Sequence, residues 1–382
     1  MNRLRPTRAF VVGPPLAGEL ATLDSALFGS GAGSLDQVRR DAARLRRLAD
    51  DASLTRTPST VVYRLSSGGH QQTGVVVEVP LEDYRSGRVR RHEATRPERE
   101  RQLGELLDAA EIELVPVTLA HLPRPRLRSL LAEVAGGEPA VHLVSEDGLQ
   151  QTVWIEHAAE LTQAVQAELD DLQELYIADG HHRMAAADRF AALRHRDDQD
   201  RASDFGLGAL FPIDELRVFA YHRCISPPAG VPASRLLEAL AAQPATERLE
   251  KCTTAEVAKT AAGVVSVRLD GHWYRLRLRT IRNSADARSS LDVVALEEGI
   301  LAPLLGVAAI GSDPRVNLLP GTLDSAAVAR WCDDHQAIGF LLHPPSMEQV
   351  MAVADAGEVM PPKSTWFDPK ARAGPFLRDL LR

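Results

Sequence analysis

The feature that most constrains the fold is a strand that runs directly into the start of a helix. Residues 175–178 form a short apolar run that is typical of a buried strand, and the Ala-rich residues 181–194 favour a helix. Only Asp179 and Gly180 separate the two. A strand, a tight turn and a helix in direct succession indicate a sheet covered by helices. We therefore predict an α/β fold, of α+β character with a mixed sheet.

Other parts of the chain show the same mixture of elements. Apolar or alternating runs predict strands at 59–65, 72–80, 114–119, 140–144, 151–155, 208–211, 215–221, 263–269, 273–278 and 340–342. Helical patterns occur at 36–52, 95–110, 127–134, 161–172, 293–304 and 346–356. Gly68 and Gly69 supply hairpin-turn chemistry between the first two of these strands.

The chain is 382 residues long, which exceeds the length of a typical single core. The polar, charged residues 194–204 form a plausible boundary. We therefore expect a first domain at 1–200, which contains both His92-Glu93 and the Asp179 turn. A C-terminal α+β portion is expected at 205–382, with a Pro-rich strap at 357–370.

Charge and cysteine content exclude several classes of protein. The formal net charge of -8 argues against a general nucleic-acid binder, because phosphate contacts need a basic surface. Cys224, Cys252 and Cys332 are widely separated, which indicates neither a disulfide framework nor a metal cluster. No apolar stretch has the length of a signal peptide or a membrane span. We expect a cytoplasmic protein with no membrane partner.

The turn after residue 178 carries unusual chemistry. His181, His182 and Arg183 occupy the first helical turn, where cations oppose the helix dipole and cost stability unless an anion offsets them. A helix N-terminus also offers backbone N–H groups to a phosphate, and Gly180 allows a close approach. Asp179 is suited to cap the helix, to hold a divalent cation or to orient a substrate hydroxyl. The alternative is a capped helix whose histidines lie on a wet surface.

Several motifs together carry a family resemblance. Tyr176-Ile177-Ala178-Asp179-Gly180-His181-His182-Arg183 resembles the signature of the domain of unknown function (DUF) 1015 family. Further matches follow in the same order along the chain. They are Gln72-Thr73-Gly74-Val75, Asp83-Tyr84, His92-Glu93-Ala94-Thr95-Arg96, Tyr221-His222-Arg223, Leu291-Asp292-Val293 and the long tail motif of residues 357–370. The chain is identified as a member of this family over nearly its whole length.

The resemblance implies a fold and a ligand. The turn is similar to that of ParB-like and sulfiredoxin-like nucleotide-binding domains, which implies such a core with an additional C-terminal α/β portion. Free-serine kinases of this wider group carry the same turn and make O-phosphoserine from serine and a nucleotide. The resemblance thus implies ATP or ADP with Mg²⁺ as ligands. It also implies a small hydroxylated metabolite as acceptor, with free L-serine as the leading candidate.

The same resemblance assigns roles to individual residues. Gly180, His181, His182 and Arg183 would bind the phosphates. Asp179 would help to place Mg²⁺ or the acceptor hydroxyl. Glu93 is the candidate for the base, matched to an acidic residue of the serine kinases by its order in the chain.

Two further pairs are candidate substrate or supporting residues. His92 and Arg96 flank Glu93; the alternative for this segment is a capping box in which Thr95 caps the next helix and Glu98 completes the box. His222 and Arg223 lie at the end of a predicted strand, where α/β proteins often bind ligands, although a satisfied core histidine is the common alternative.

The Pro-rich loop offers another cation. Lys363 is the residue of this loop that we expect to reach the phosphates, within a strap that otherwise packs Met360, Trp366 and Phe367 against the core.

The sequence also departs from the family pattern. Leu16-Ala17 stand after Pro14-Pro15, where the family often has Tyr-Asp, and Met184-Ala185 follow Arg183 in place of Tyr-Glu. A nucleotide-dependent small-molecule kinase is the leading hypothesis. The alternative is a non-catalytic or slowly hydrolysing nucleotide-binding regulatory protein, as some ParB-like domains are. DNA binding is disfavoured by the acidic charge.

Overall fold

The computed structural model describes residues 4–22, 35–49, 59–194, 202–257, 261–279 and 286–380. The chain divides into two units. The first comprises Met1–Arg91, Thr95–Leu216 and Pro369–Arg382, and the second comprises His92–Ala94 and Arg217–Asp368. The first unit includes Leu216, and residues Pro369–Arg382 also belong to it. Residues 195–201 of the predicted boundary lie outside the described ranges.

The first unit contains strands and helices in alternation. Its strands are β1 (Arg5–Pro6), β2 (Phe10–Val11), β3 (Thr60–Ser67), β4 (His70–Pro80), β5 (Val89–Arg90), β6 (Ile112–Glu113), β7 (Val117–His121), β8 (Val141–Val144), β9 (Gln150–Glu156), β10 (Leu175–Asp179) and β11 (Phe205–Pro212). Its helices are α1 (Leu16–Ala21), α2 (Leu35–Ala49), α3 (Leu81–Arg85), α4 (Pro97–Ala110), α5 (Pro125–Val134), α6 (Ala159–Asp170) and α7 (His181–Arg194).

The main sheet of the first unit has the strand order β5-β10-β7-β11-β4-β3-β9-β8, with β1 paired to β4. The β10–β5 and β11–β7 pairs are parallel, and the other pairs are antiparallel. The predicted mixed sheet is therefore confirmed. The hairpin of β3 and β4 turns at Gly68 and Gly69, both of which have a positive φ that suits glycine.

Both faces of this sheet are buried. Along β4, Val75 and Val77 pack in one apolar cluster with Leu119, whereas Val76 packs in another with Phe211. Side chains alternate between the faces of a strand, so a run of consecutive valines serves two cores at once. This explains why the sequence of β4 contains a continuous run of apolar residues.

The C-terminal strand of the chain completes the first unit. Strand β20 (Phe376–Asp379) pairs with β2 and with β6 in a small separate sheet. Phe376 and Leu377 are fully buried. This strand was not predicted, because four residues with a charged residue inside carry little periodicity of their own.

The second unit is built on an antiparallel sheet. Its strands are β12 (Val218–Phe219), β13 (Tyr221–Ile225), β14 (Thr246–Cys252), β15 (Val264–Leu269), β16 (His272–Leu278), β17 (Val316–Pro320), β18 (Ile338–Leu341) and β19 (Trp366–Phe367). The six-stranded sheet has the order β14-β16-β15-β18-β13-β17, and β12 pairs with β19.

The helices of the second unit are α8 (Ala233–Ala241), α9 (Thr254–Val257), α10 (Asp292–Leu296), α11 (Ala302–Leu305), α12 (Ser325–Asp334) and α13 (Met347–Asp355). A π-helical turn, Glu297–Leu301, joins α10 to α11. The predicted helix at 293–304 is thus present, but a wide turn interrupts it. Among the described residues, no helix combines the length and apolarity needed to cross a membrane.

The predicted cap of helix α4 is wrong by one residue. The N-cap is Arg96, without a side-chain capping bond, and Pro97 is the first helical residue. A cap at Thr95 would place Arg96 inside the helix. The helical conformation is disfavoured for a residue that precedes a proline, and Arg96 is extended. The capping-box interpretation of Thr95 and Glu98 is therefore corrected.

Candidate functional site

The signature turn lies where β10 ends and α7 begins. Gly180 has a φ of +100°, which a side-chain-bearing residue rarely adopts. A Cβ at this position would also lie 2.8 Å from a terminal nitrogen of Arg183. The first helical hydrogen bond runs from the Met184 amide to the Gly180 carbonyl at 3.0 Å. The amides of the first turn thus precede the hydrogen-bonded part of the helix, and glycine is required for the geometry.

Asp179 lies between two cations. Its Oδ1 accepts a hydrogen bond from Lys370 Nζ at 2.7 Å, and its Oδ2 accepts one from Arg183 at 3.0 Å. Its side chain is 20% exposed, so the cluster is within reach of solvent. Desolvation by burial opposes ionisation of this carboxyl, but attraction to Lys370 and Arg183 outweighs it and holds the pKa well below its ordinary value. Asp179 is therefore a carboxylate throughout the physiological range.

Lys370 comes to this turn from the far end of the chain. It belongs to the C-terminal segment Pro369–Arg382, which the first unit retains. Arg378 anchors that segment: its guanidinium donates to Glu78 at 3.0 Å and to Glu113 at 2.5 Å, and both Arg378 and Glu78 are buried. Sequence analysis noted Lys370 only as part of the tail motif and did not connect it with Asp179.

Helices α4 and α7 lie side by side and run parallel. At their N-termini, the Arg96 amide donates to His182 Nε2 at 3.0 Å, and at their C-termini Arg194 forms an ion pair with Glu111. Since His182 Nε2 accepts a hydrogen bond, it carries no proton in this arrangement. The two N-terminal ends, with their partial positive charges, thus lie next to each other at the signature turn.

Arg99 is a further cation near this turn. Arg99 lies in the first turn of α4. Burial, and then repulsion by Arg96 and Arg183, lower the pKa of its guanidinium. We refer to Asp179, His182, Arg183, Lys370 and Arg99 as the Asp179 cluster. It contains one carboxylate and three permanent cations, an arrangement that suits an anionic ligand.

Thr118 is a polar residue that sequence analysis missed. It lies opposite Asp179 in the β7–β10 pairing, so their side chains share one face of the sheet. Its Oγ1 is buried and has no hydrogen-bond partner among the described residues. A lone threonine inside an apolar strand gives no signal in the sequence, because its importance depends on what lies across the strand.

His181 differs from its neighbour in exposure. It is buried, with a relative exposure of 5%, whereas His182 is half-buried. The assignment of both histidines to phosphate binding stays a prediction.

The predicted residues His92 and Glu93 belong to the second unit, whereas Arg96 belongs to the first. His92 is buried; its Nε2 lies 3.1 Å from the Thr365 hydroxyl, and its carbonyl accepts a hydrogen bond from the Met360 amide at 2.8 Å. His92 thereby holds the strap of the tail motif. Glu93 is half-buried, and its role as a base stays a prediction.

The strap is held by a buried arginine. Arg223 donates to Glu297 at 2.6 Å and to the carbonyl of Lys363 at 3.0 Å, and it is fully buried. Lys363 has a φ of +58°, which is unusual outside glycine, and its Nζ lies 5.4 Å from the ring centroid of Tyr221. Arg223 thus fixes the backbone that carries Lys363. Met360 and Phe367 are buried, as a packed strap requires.

His222, the neighbour of Arg223 on β13, is also buried. Its Nδ1 has no partner among the described residues. Burial, with a smaller contribution from repulsion by Arg223, lowers the pKa of His222 to about 4. It is therefore a neutral imidazole at pH 7.

The residues at the turn do not fit a dedicated Mg²⁺ site. Magnesium is usually held by one or two carboxylates together with substrate phosphates. Asp179 is the only carboxylate of the Asp179 cluster, and both of its oxygens are engaged by cations. Within the described ranges, no group of three or more His, Cys, Asp or Glu side chains is arranged to hold a metal. The predicted role of Asp179 as a magnesium ligand is therefore not supported by its donor set.

Several solved structures are similar to this chain. A free serine kinase mutant in complex with ADP is 14% identical, with 81% of this chain and 92% of that chain covered and a TM-score of 0.40. SbnI with C-terminal truncation from Staphylococcus aureus is 13% identical, with 78% and 85% covered and a TM-score of 0.40. A conserved hypothetical protein from Pyrococcus furiosus is 15% identical, with 81% and 95% covered and a TM-score of 0.38.

The sequence has no significant match among curated proteins. The sequence model of a family described as "Protein of unknown function (DUF1015)" matches residues 27–294, which is well over half of the chain. The matched range includes the strand, turn and helix around Asp179. The chain therefore belongs to the DUF1015 family.

Proposed function

We propose that this protein is a nucleotide-dependent phosphotransferase that acts on a small hydroxylated metabolite, with free L-serine as the leading acceptor. The observation that carries the proposal is the meeting of Lys370 and Arg183 at one carboxylate, beside two parallel helix N-termini. Cations at a helix N-terminus oppose the helix dipole, and a nucleotide phosphate brings a negative charge that offsets them.

The proposed roles follow from the geometry of the donors. Arg183 supplies a planar fork and Lys370 a point charge, and both are suited to phosphate oxygens. Asp179 is a positioning residue in this proposal, because it holds both cations by direct hydrogen bonds. Gly180 keeps the turn open to the ligand, and His182 contributes from the first turn of α7.

The proposed reaction is an in-line displacement. The acceptor hydroxyl oxygen bonds to the terminal phosphorus of ATP or ADP, the bond from that phosphorus to the bridging oxygen breaks, and the shortened nucleotide leaves with the bonding electrons. The hydroxyl proton passes to a base, for which Glu93 is the sequence-based candidate. The cations stabilise the negative charge that spreads over the phosphoryl oxygens and the leaving group.

The test is a phosphoryl-transfer assay on the full chain. The protein is incubated with ATP or ADP and a panel of free amino acids, with and without Mg²⁺, and products are identified by mass spectrometry. We expect O-phosphoserine from the wild type and none from Asp179→Asn or Glu93→Gln. Arg372→Met is the matched control, since Arg372 forms an exposed ion pair with Asp147 in the first unit. Normal turnover by Asp179→Asn would contradict the assignment.

A second candidate function is a nucleotide-binding regulatory protein without transfer activity. Specific positions favour it: Ala17 and Met184, which stand where the family has polar residues, are fully buried in apolar clusters. Neither presents a polar group to a ligand. In the same assay, this alternative predicts nucleotide binding that is lost in Lys370→Met, slow hydrolysis, and no phosphorylated acceptor.

A further inference from the structure

The first unit contains a cavity that is separate from the Asp179 cluster. It has a volume of about 230 Å³ and lies where β7 and β11 end, at His121 and Pro212. Arg64 and Thr73 line it from the hairpin of β3 and β4, and Leu127 lines it from α5. A cavity of this size accommodates a small metabolite.

The position along β7 separates this cavity from the signature turn. Asp179 pairs with Thr118 near the start of β7, whereas His121 is its last residue. Residues three apart on a strand also point to opposite faces of the sheet. The cavity and the Asp179 cluster are thus at different ends and on different faces of the same strand.

His121 presents a hydrogen-bond acceptor to the cavity. Its side chain is 2% exposed, and its Nδ1 lies 2.7 Å from the Leu122 carbonyl oxygen, which only accepts; Nδ1 therefore carries the hydrogen. Burial is the main cause that lowers the pKa of this imidazole, so the ring is neutral. Its Nε2 is then an unprotonated acceptor, and no described residue donates to it. Because His121 lines the cavity, this nitrogen can accept a hydrogen bond from a ligand.

Arg64 presents a preorganised cationic fork. Its Nε donates to the Thr73 hydroxyl at 2.9 Å, and its guanidinium carbon lies 4.9 Å from the ring centroid of Trp154. These two contacts fix the plane of the guanidinium. Neither terminal nitrogen of Arg64 has a hydrogen bond or an ion pair within the described part of the chain, so two parallel donors remain for an anion.

The other charges around the cavity are already neutralised. Arg124 pairs with Glu168 at 2.8 Å and with Asp171 at 2.9 Å, and Arg128 pairs with Asp214 at 2.6 Å and with Glu215 at 3.3 Å. These carboxylates outnumber the two arginines, so Arg64 is the remaining cation for a ligand and the surroundings add no positive charge to it. It matches a singly charged carboxylate better than a phosphate monoester, whose second negative charge would stay unpaired in a half-buried site.

The remaining wall is apolar. Leu127 and Leu131 are buried and line the cavity together with Pro212. A hydrocarbon portion of a ligand would be removed from water against these side chains.

We propose that this cavity binds a small organic carboxylate that carries a hydroxyl or amino group and a short hydrocarbon chain. The carboxylate pairs with the terminal nitrogens of Arg64, and the hydroxyl or amino group donates to His121 Nε2. The hydrocarbon chain packs on Leu127 and Leu131. The site is independent of the nucleotide proposed for the Asp179 cluster.

The test is calorimetric titration of the full-length protein with three probes: α-hydroxyisocaproate, isocaproate, which lacks the hydroxyl, and isopentyl phosphate, which replaces the carboxylate. We expect the hydroxy acid to bind most tightly. Arg64→Met should weaken it by about tenfold or more, because a hydrogen bond to a charged group is lost. His121→Phe should weaken the hydroxy acid to about the level of isocaproate and leave isocaproate unchanged.

Two further measurements separate this result from misfolding. Arg64→Lys keeps the charge and loses the fork, so its affinity should fall between those of the wild type and Arg64→Met. Urea denaturation serves as an independent readout of folding in each variant. The proposal is overturned if neither acid binds the wild type saturably, if Arg64→Met binds the hydroxy acid as well as the wild type does, or if isopentyl phosphate binds most tightly.

Discussion

Two charged clusters in the first unit use arginine in opposite ways. The Arg378 network consists of Arg378, Arg5, Glu78 and Glu113, and its two cations balance its two acids. The Asp179 cluster has three permanent cations for one acid. In the balanced network, Arg378 and Glu78 are each 1% exposed, and Glu113 also accepts a hydrogen bond from the Leu207 amide. The Asp179 cluster is partly exposed.

The difference indicates which cluster serves the fold and which one serves a ligand. Buried charges must be paired and hydrogen-bonded, and the Arg378 network meets this requirement with protein groups alone. An arginine and a lysine beside a partly exposed carboxylate at a helix N-terminus instead suit an anionic ligand. The following predictions test this distinction, from the largest expected effect to the smallest.

Arg378→Met should have the largest effect on stability. It leaves two buried carboxylates without their shared cation and releases the C-terminal segment that carries Lys370. We expect the free energy of unfolding to fall by about 3–5 kcal/mol, measured by urea denaturation. The exposed arginine variant Arg372→Met should lose less than about 1 kcal/mol. Equal losses of stability in the two variants would mean that the buried Arg378 network supports the fold no more than an exposed ion pair does.

Lys370→Met should instead act on ligand binding. It removes one charged hydrogen bond from the proposed phosphate site, so we expect ADP affinity to fall about ten- to a hundredfold with little loss of stability. Lys363→Met is the matched test of the lysine that the sequence favoured. Isothermal titration of both variants with ADP decides between the two lysines. A larger loss of ADP affinity in Lys363→Met would mean that Lys363, and not Lys370, binds the phosphates.

Within the Arg378 network, the contribution of Glu78 to the pH dependence of stability has a definite sign. Burial opposes ionisation of Glu78, but attraction to Arg378 and Arg5 outweighs it, so its pKa lies below the ordinary value of 4.5. Glu78 therefore contributes stability that is present above pH 4.5 and is lost as the pH falls through its lowered pKa.

In Arg378→Met, Glu78 keeps Arg5 but loses the larger of its two attractive contributions. Its pKa should therefore lie above that of the wild type, so the variant takes up a proton at higher pH. The stability gap between wild type and variant should thus narrow by about 1–3 kcal/mol between pH 8 and pH 5. Urea denaturation at several pH values measures this, and a gap that widens at low pH would contradict it.

Arg99→Gln should give the smallest effect, with the opposite sign. The substitution removes a guanidinium whose charged form is already opposed by burial and by repulsion from Arg96 and Arg183. We expect stability to stay constant or to rise by about a few tenths of a kcal/mol, while ADP affinity falls about threefold. A clear loss of stability would mean that Arg99 supports the fold and is not kept for a ligand.

Local chemistry predicted much of the fold. The strand, turn and helix at 175–194 match β10 and α7, and the hairpin around Gly68 and Gly69 matches β3 and β4. These elements have strong periodicity or a turn whose backbone requires glycine. Helix α12 and strand β14 were not predicted, since their patterns are weak and their partners are distant in the sequence.

The sequence by itself determined the signature turn, because Asp179, Gly180 and the cations after it are neighbours along the chain. It also determined the family and the mixed α/β class. Only the tertiary structure decided that Lys370, 191 residues from Asp179, pairs with it and that Thr118 lies across the strand. The physical reason is that ion pairs and strand register depend on contacts between distant segments, whereas turns and helix starts depend on adjacent residues.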